Sequence, residues 1–331
     1  TFKSTVPWVY RSDLTFEEFS KFAEHNFGLP GVSVGVRPIR QYLYDSLACH
    51  MLGYVRLPDD QQVPEEERKQ WDFYVGDDYG WAGLEKTMDS KLRGIPGVRT
   101  MRKNSKGAMV GEVDYQEPKK GNDVWLTLDA RIQMITEKAL RDADVGRGAA
   151  VVIDPNSGEV LAMASVPNYN PNKFIPTISK QDYQELLDNP VIPLLHRAVR
   201  PFAPGSTFKI VTSFAGCLAG IDKYHFNCSG SVTYGNKAMQ CWIQRQFGGS
   251  HGNLDLSEAI MRSCNCYFYQ FGNRAGITAI GKAGHMLGVG ERTGIELLDE
   301  DPGVTGEGHR VAGHADHPAH LAAGNLARLL V

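Results

Sequence analysis

Apolar and polar positions along the chain follow two patterns, one typical of strands and one typical of helices. Residues 123–129 (DVWLTLD) alternate apolar and polar side chains, which predicts a strand. Residues 130–143 instead repeat apolar positions at three- and four-residue intervals, which predicts a helix. Residues 148–154 and 159–165 are two apolar segments, and the turn-forming Pro-Asn-Ser-Gly between them predicts a β-hairpin.

Two further helices are predicted in the second half of the chain. Residues 207–218 (TFKIVTSFAGCL) have the pattern of a buried helix that begins after Pro204-Gly205 and ends before Gly220. Residues 257–271 again carry apolar side chains at three- and four-residue intervals, which predicts a second helix. Strands and helices therefore occur in one chain, which indicates an α+β or α/β fold.

Polar, turn-rich segments suggest how the chain is divided. Residues 58–68 (PDDQQVPEEER) predict a solvated surface loop, and residues 117–122 (EPKKGN) predict a junction. A chain of 331 residues is also longer than one average domain. We therefore place a domain boundary after residue 122, which separates residues 1–122 from residues 123–331.

Composition and charge exclude several classes of protein. The chain is 42% hydrophobic and 22% charged, which is ordinary for a globular protein. The formal net charge is −3, so no overall basic field is present to hold a nucleic-acid backbone, and no nucleic-acid partner is expected. Residues 1–11 lack the pattern of a signal peptide, and no apolar stretch is long enough to span a membrane. Any anchor or export signal is expected upstream of residue 1.

Ser206 and Lys209 form an S-x-x-K motif at the start of a predicted helix. On a helix these two side chains lie on one face, one turn apart, so the amine can reach the hydroxyl. A lysine that acts as a base must be neutral, and lowering its pKa from about 10.4 to near 7 or 8 costs roughly 4 kcal/mol. The tetrapeptide alone is weak evidence, because about one match is expected by chance in a chain of this length.

Ser263 and Asn265 form an S-x-N triplet later in the chain. Alone, the triplet is equally well explained as the polar edge of a helix. S-x-x-K followed by S-x-N is a much rarer combination, and it is the order known from penicillin-binding proteins and related serine acyl-transferases.

The resemblance extends well beyond these motifs. From about residue 32 to residue 303 the chain resembles the class B penicillin-binding proteins, the monofunctional peptidoglycan transpeptidases. Two segments, residues 193–197 (PLLHR) and 293–303 (TGIELLDEDPG), resemble the cell-elongation branch of that family more than the division branch. The other matching segments are residues 37–55 (RPIRQYLYDSLACHMLGYV), 82–97 (AGLEKTMDSKLRGIPG), 123–133 (DVWLTLDARIQ), 149–172 (AAVVIDPNSGEVLAMASVPNYNPN), 197–209 (RAVRPFAPGSTFK) and 251–269 (HGNLDLSEAIMRSCNCYFY).

The resemblance implies a fold and a set of catalytic roles. Residues 1–122 would form an elongated pedestal of the dimerisation type, and residues 123–331 would form a partial transpeptidase domain like that of serine β-lactamases. Ser206 would be the acylated nucleophile and Lys209 its base. Ser263 and Asn265 would relay a proton and contact a substrate amide. The reaction would cross-link D-Ala-D-Ala stem peptides through an acyl-enzyme, and β-lactams would block it covalently.

The resemblance also implies a location and partners. Relatives of the elongation type work with a SEDS-type membrane glycosyltransferase and a rod-shape complex. The expected location is the periplasmic face of the inner membrane, with an N-terminal helical anchor that is not part of this chain.

The sequence departs from the family in one respect. The third family motif, Lys-Thr-Gly or Lys-Ser-Gly, does not occur in the 331 residues, so we expect a transpeptidase domain that lacks its last strands and helix, with impaired activity. Residues 304–331 match the family poorly, and we interpret them as an altered loop rather than a metal-binding tract of His309, His314, His317 and His320. Two other functions remain open: a non-catalytic scaffold for cell-wall synthesis, and a serine β-lactamase or esterase.

The six cysteines form a second group of candidate residues. In an exported domain Cys228 and Cys241 most simply form a disulfide. The alternatives are a zinc site of Cys228, Cys241 and His251, with Cys266 as a further candidate ligand, or free thiols. No other cofactor is expected. We interpret the remaining candidates as packing residues, namely Cys49, Cys217, Trp242, Tyr267 and Phe268.

Overall fold

The computed structural model describes residues 8–12, 14–25, 32, 34, 38–57, 65–66, 78–105, 109–303 and 329–330. The chain divides into two compact units. Unit 1 comprises residues 1–147 and 154–195, and unit 2 comprises residues 148–153 and 196–331. The boundary after residue 122 stays a prediction. Most of the predicted loop at residues 58–68 and the four histidines of the 304–331 stretch lie outside the described residues.

The N-terminal part of unit 1 consists of short helices and antiparallel strand pairs. Its elements are α1 (Phe16–His25), α2 (Cys49–Leu52), β1 (Val55–Arg56), β2 (Tyr79–Gly80), α3 (Gly83–Thr87), α4 (Asp89–Leu92), β3 (Val98–Lys103) and β4 (Met109–Gln116). Strand β1 pairs with β2, and β3 pairs with β4. Gly53 ends α2 with a φ of +78°, and a Cβ there would lie 1.8 Å from the Ala82 carbonyl oxygen. Only glycine therefore allows these two backbone segments to approach so closely.

The helix predicted at residues 130–143 is confirmed as α5 (Ala130–Asp142), but the strand predicted before it is wrong. Residues 123–129 form no strand, and the side chain of Trp125 is 92% exposed. The alternation in this segment therefore does not mark a buried face. Its last residue, Asp129, instead caps α5, because its carboxylate accepts the N–H groups of Arg131 and Ile132.

The predicted hairpin is confirmed by β5 (Gly148–Ile153) and β6 (Val160–Val166). Its turn closes through two backbone hydrogen bonds: Asp154 N–H donates to Glu159 O at 2.9 Å, and Gly158 N–H donates to Asp154 O at 2.8 Å. Helix α5 packs on β6, where the Gln133 side chain bonds to both the N–H and the carbonyl of Met163.

Unit 1 continues with a 3₁₀ turn (Pro171–Phe174) and helix α6 (Lys180–Asp188). Its aromatic core contains Tyr54 and Phe174, whose rings stack 3.7 Å apart, together with Tyr169. Cys49 belongs to the same cluster and is 1% exposed, which confirms that it is a packing residue. Within the described residues, no helix has both the length and the apolar character needed to cross a membrane.

Unit 2 holds β5 and the remaining elements. The latter are two 3₁₀ turns (Arg197–Val199 and Gly205–Phe208), β7 (Pro201–Phe202), α7 (Lys209–Leu218), β8 (Phe226–Cys228), β9 (Ser231–Tyr234), β10 (Lys237–Gln240), α8 (Trp242–Phe247), β11 (Gly252–Leu254), α9 (Leu256–Met261), α10 (Asn265–Ala275), α11 (Ile277–Met286) and β12 (Leu329–Leu330). Three antiparallel pairs form, namely β7 with β12, β8 with β11 and β9 with β10.

The core of unit 2 lies around α7, α10 and α11. Tyr267 and Phe268 are fully buried, which confirms that they are core residues. The helix predicted at residues 207–218 is confirmed, although its first turn is the 3₁₀ turn and α7 itself begins at Lys209. The prediction that Cys217 is a packing residue is wrong, because Cys217 is exposed. It lies next to Leu218 on the outer face of α7, while Ala215 and Gly216 face the core.

The single helix predicted at residues 257–271 is wrong, because α9 and α10 are separated by a turn. Ser263 lies in this turn with a φ of +47°, which no helix interior adopts. Each helix has its own cap: Asp255 and Glu258 form a capping box at α9, and the Cys264 sulfur accepts the Tyr267 N–H at α10. Both helices bury apolar side chains in the same core, so the apolar spacing continues across the break.

Candidate active site

The S-x-x-K residues lie where the 3₁₀ turn meets α7. Ser206 is exposed within that turn, and Lys209, the first residue of α7, is only 3% exposed. Gly205 precedes the serine with a φ of +58°, a conformation that glycine adopts without strain. The Lys209 Nζ lies 3.2 Å from the Ser206 Oγ. The amine therefore reaches the hydroxyl, as the spacing predicts.

The S-x-N residues meet the same amine. Lys209 Nζ donates to the Ser263 hydroxyl at 3.1 Å and to the Ser263 carbonyl oxygen at 2.9 Å. It also donates to Asn265 Oδ1 at 2.6 Å, and it lies 5.6 Å from the centre of the Phe268 ring. The turn between α9 and α10 thus brings the second motif to the first, and all four predicted catalytic residues form one cluster.

Burial changes the acid–base character of Lys209. The loss of solvent around the amine lowers its pKa to about 8, while the nearby sulfurs of Cys241 and Cys264 act in the opposite direction. A lysine with this pKa is partly neutral just above neutral pH. The arrangement can therefore take a proton from an exposed hydroxyl that lies within hydrogen-bond distance.

A cluster of sulfur and nitrogen ligands lies beside this site. The Nδ1 atom of His251 is 3.7 Å from Cys228 Sγ and 3.6 Å from Cys241 Sγ. Cys241 Sγ is in turn 3.9 Å from Cys264 Sγ. All four ligand atoms lie within 4.8 Å of one another, and the three cysteines are buried.

Four elements bring these ligands together. Cys228 ends β8, and Gly252, the residue after His251, pairs with it in the β8–β11 ladder. Cys241 precedes α8 and Cys264 precedes α10, so both occupy N-cap positions. Trp242 covers one side: its ring centre lies 5.4 Å from that of His251, and its Nε1 donates to Arg262 O at 3.0 Å.

The observed cluster agrees with only some of the predictions about the cysteines. Cys228 and Cys241 are free thiols in the structure, so the preferred disulfide between them is not formed here. Cys264, rather than Cys266, completes the four-atom cluster among the described residues. Hydrogen bonds from the Cys264 and Cys266 thiols lower the pKa of Cys241, so Cys266 borders the cluster. Sequence reasoning missed Cys264 because it is the middle residue of S-x-N; the signal was a cysteine at a helix start beside catalytic residues.

The donor set and spacing fit a zinc ion. Zinc in proteins favours thiolate and imidazole ligands in a tetrahedral arrangement, in which neighbouring ligand atoms lie roughly 3.5–3.8 Å apart. The sulfur and nitrogen contacts here are 3.6, 3.7 and 3.9 Å. The other pairs of ligand atoms lie within 4.8 Å, so the cluster has to contract to hold such an ion.

Two sequence profiles match the chain. The penicillin-binding protein dimerisation domain matches residues 1–126, and the penicillin binding protein transpeptidase domain matches residues 148–315. Peptidoglycan D,D-transpeptidase MrdA of Acinetobacter baumannii is 31% identical over 314 residues, which cover 92% of this chain and 45% of that protein. MrdA of Escherichia coli K12 is 31% identical over 304 residues, which cover 88% of this chain and 46% of that protein. The chain thus spans about half the length of these curated relatives.

Solved structures of penicillin-binding proteins also superpose on this chain. PBP2 of Helicobacter pylori, in a complex with MreC, superposes with a TM-score of 0.78 at 26% identity, over 95% of this chain and 58% of that one. PBP2 of Pseudomonas aeruginosa, in complex with WCK 5153, superposes with a TM-score of 0.70 at 27% identity, over 89% of this chain and 63% of that one. With both domains matched and the nucleophile, lysine and S-x-N motif gathered at one point, the chain belongs to the class B penicillin-binding proteins, in their cell-elongation branch.

Proposed function

We propose that this chain carries the acylation centre of a peptidoglycan D,D-transpeptidase. One observation carries the proposal: the buried Lys209 amine contacts the Ser206 hydroxyl, the Ser263 hydroxyl and the Asn265 side chain together, at 2.6–3.2 Å. Such an amine activates a serine nucleophile and provides a second hydroxyl along which a proton moves.

The proposed first half-reaction follows from these contacts. Neutral Lys209 takes the proton of Ser206 as Oγ attacks the carbonyl of the D-Ala-D-Ala peptide bond. The proton then passes through the Ser263 hydroxyl to the leaving amine, so D-alanine departs and the serine ester remains. Asn265 holds Lys209 through Oδ1, which leaves its amide N–H₂ group for a substrate carbonyl.

The second half-reaction reverses the proton path. The amine of a neighbouring stem peptide attacks the ester, its proton returns through Lys209 to Ser206, and a cross-linked peptide is released. The Ser206 N–H supplies one oxyanion donor.

Substrates, partners and location follow the same proposal. Stem peptides ending in D-Ala-D-Ala are the substrates, and β-lactams acylate Ser206. The site works on the periplasmic side of an inner membrane, with a SEDS-type glycosyltransferase and a rod-shape complex as partners. In support, H. pylori PBP2 was solved with MreC, and another matching structure is of a peptidoglycan synthase complex.

The test uses a synthetic stem pentapeptide and an acceptor amine. We expect the chain to release D-alanine and to form the cross-linked product, Ser206→Ala to do neither, and the exposed Ser229→Ala to behave like the parent. Fast hydrolysis of a penicillin without product would indicate a β-lactamase or esterase instead. No acylation by peptide or penicillin would indicate a non-catalytic scaffold.

We further propose that Cys228, Cys241, His251 and Cys264 hold a structural zinc ion. Its role is to fix the turn that carries Ser263 and Asn265, because Cys264 lies between them in sequence. Metal analysis of the purified chain should find one zinc per chain, with Cys228→Ser losing it and the exposed Cys217→Ser keeping it. A metal-free chain with a mapped Cys228–Cys241 disulfide would contradict the zinc proposal and support the alternative pairing.

A further inference from the structure

We infer that Cys241 and Cys264 form an oxidation site: a dithiol that closes into a disulfide and thereby displaces the Ser263–Asn265 turn from Lys209. The effect on catalysis rests on the proposed function, whereas the disulfide itself does not. The inference starts from a direct contact between two sulfur atoms, Cys241 Sγ and Cys264 Sγ, at 3.9 Å.

The geometry of this pair favours closure. A disulfide bond is about 2.0 Å long, so the two sulfurs need to approach by a little under 2 Å. Both residues are N-caps, at the boundary between a turn and a helix. By contrast, Cys228 meets the cluster through His251 Nδ1 at 3.7 Å.

One side of the cluster lies nearer to solvent than the others. His251, which contacts two of the sulfurs, is only half-buried, and so is Trp242, which packs on it. Cys241 and Cys264 are themselves buried, so a small oxidant such as hydrogen peroxide has to enter past these two side chains. In the proposed extracytoplasmic location, dithiols are also exposed to oxidising conditions.

Formation of the disulfide acts directly on the active site. Cys264 is joined by peptide bonds to Ser263 and Asn265, which together give Lys209 Nζ three hydrogen bonds of 2.6–3.1 Å. Ser263 lies at a φ of +47°, a backbone conformation that is uncommon for a serine. Displacements of about 1 Å in such a constellation cost up to about 10² in rate.

Formation of the disulfide needs no reactant other than the two thiols and hydrogen peroxide. The two thiols lose two electrons and two protons and form one S–S bond, while one hydrogen peroxide becomes two waters. A thiol reductant reverses the reaction. Since both sulfurs are also ligands in the proposed zinc site, a bound zinc ion protects them, and closure releases the ion.

Mapping of the disulfide is the first test. The full chain, stripped of metal with a chelator, is treated with hydrogen peroxide, alkylated and digested without reductant. We expect a peptide pair joined through Cys241 and Cys264 that is lighter by two hydrogens, and slower formation in zinc-loaded protein. A main product joining Cys228 to Cys241 or Cys264 to Cys266, or only oxygenated cysteines, would overturn the inference.

The second test measures acylation by a fluorescent penicillin. We expect oxidation to lower the acylation rate at least about tenfold, and dithiothreitol to restore it. The exposed Cys217→Ser should respond like the parent, whereas the rate of Cys241→Ser should not change on oxidation. A mapped disulfide with an unchanged acylation rate would refute the coupling.

The two proposals fail separately. If the reduced chain is not acylated at all, the proposed function fails, and the coupling is then measured by hydrogen–deuterium exchange of residues 263–268. Oxidation should change exchange there while leaving residues 130–142 unaffected. Unchanged exchange at residues 263–268 in the cross-linked chain would overturn the inference.

Discussion

At Lys209, burial and the nearby sulfurs of Cys241 and Cys264 act on the pKa of the amine in opposite directions. Removal from water disfavours the ammonium form and lowers its pKa to about 8. The oxygen atoms of Ser206, Ser263 and Asn265 each accept a hydrogen bond from Nζ and keep the side chain in position. The balance gives a base that loses its proton near physiological pH, which a solvent-exposed lysine does not do.

This balance predicts the pH dependence of acylation. Lys209 accepts the serine proton only when neutral, so the acylation rate by a penicillin should rise with pH through about 8 and level off above it. Lys209→Arg should lose acylation, because a guanidinium stays protonated, while the exposed Lys282→Arg should keep the parent profile. A rate that does not vary between about pH 6 and about pH 10 would exclude Lys209 as the base.

Local spacing predicted the contact between Ser206 and Lys209, because one helical turn brings S-x-x-K residues together whatever surrounds them. The contact of Lys209 with Ser263 required the family resemblance, since it joins residues 54 positions apart. Cys264 was beyond both kinds of reasoning. Its place in the cluster depends on tertiary contacts with Cys228, Cys241 and His251, which belong to other parts of the chain.

At the scale of elements, one close approach holds the two motifs together. Helix α7, which begins at Lys209, packs against α10, which begins at Asn265. At their contact a Cβ on Gly216 would lie 2.0 Å from the Cε1 and Cζ atoms of Phe271. The missing side chain at Gly216 is what lets the Phe271 ring lie against α7.

Gly216→Ala should therefore destabilise unit 2 despite the better helix propensity of alanine. Overpacking of this kind lowers the free energy of unfolding by about 1–3 kcal/mol, which urea denaturation would measure. Gly111→Ala is the matched control, because a Cβ at Gly111 meets nothing within 4 Å. Pairing Gly216→Ala with Phe271→Ala should cost less than the sum of the two single changes. Equal stability of the two glycine variants would show that the contact is unimportant.

Elements with a strong local signal were predicted correctly, and the failures have physical causes. The hairpin around residues 154–159 and helix α5 follow from turn chemistry and capping. The strand at residues 123–129 failed because alternation was present without burial, as the exposed Trp125 indicates. The break at Ser263 was not predicted, because α9 and α10 share one core and apolar residues therefore continue at helical spacing across it.

At the scale of the whole molecule, unit 1 is held together by a buried carboxylate. Glu137, in α5, is 3% exposed and accepts the Ala48 N–H at 2.8 Å. It also accepts from Asn168 Nδ2 at 3.1 Å and Arg141 Nη1 at 3.3 Å. This one side chain therefore connects three sequence-distant parts of unit 1, including residues on both sides of the boundary predicted after residue 122.

Glu137→Ala should destabilise unit 1 by about 3 kcal/mol, because it leaves several buried donors without an acceptor. Glu137→Gln, which keeps one carbonyl oxygen, should cost less. The exposed Glu24→Ala serves as the control and should leave the free energy of unfolding nearly unchanged. Thermal unfolding monitored by circular dichroism measures all three, and a Glu137→Ala midpoint equal to that of Glu24→Ala would contradict this role. Sequence patterns did not reveal Glu137, since its partners are set by tertiary contacts.

Acylation of Ser206, with Lys209 as its base, is checked by intact-mass spectrometry. The chain is incubated with a fluorescent penicillin, alongside Ser206→Ala and the exposed Ser229→Ala. We expect a stable adduct of one penicillin per chain, present in Ser229→Ala and absent from Ser206→Ala. An unmodified parent chain, or an adduct that survives in Ser206→Ala, would contradict it.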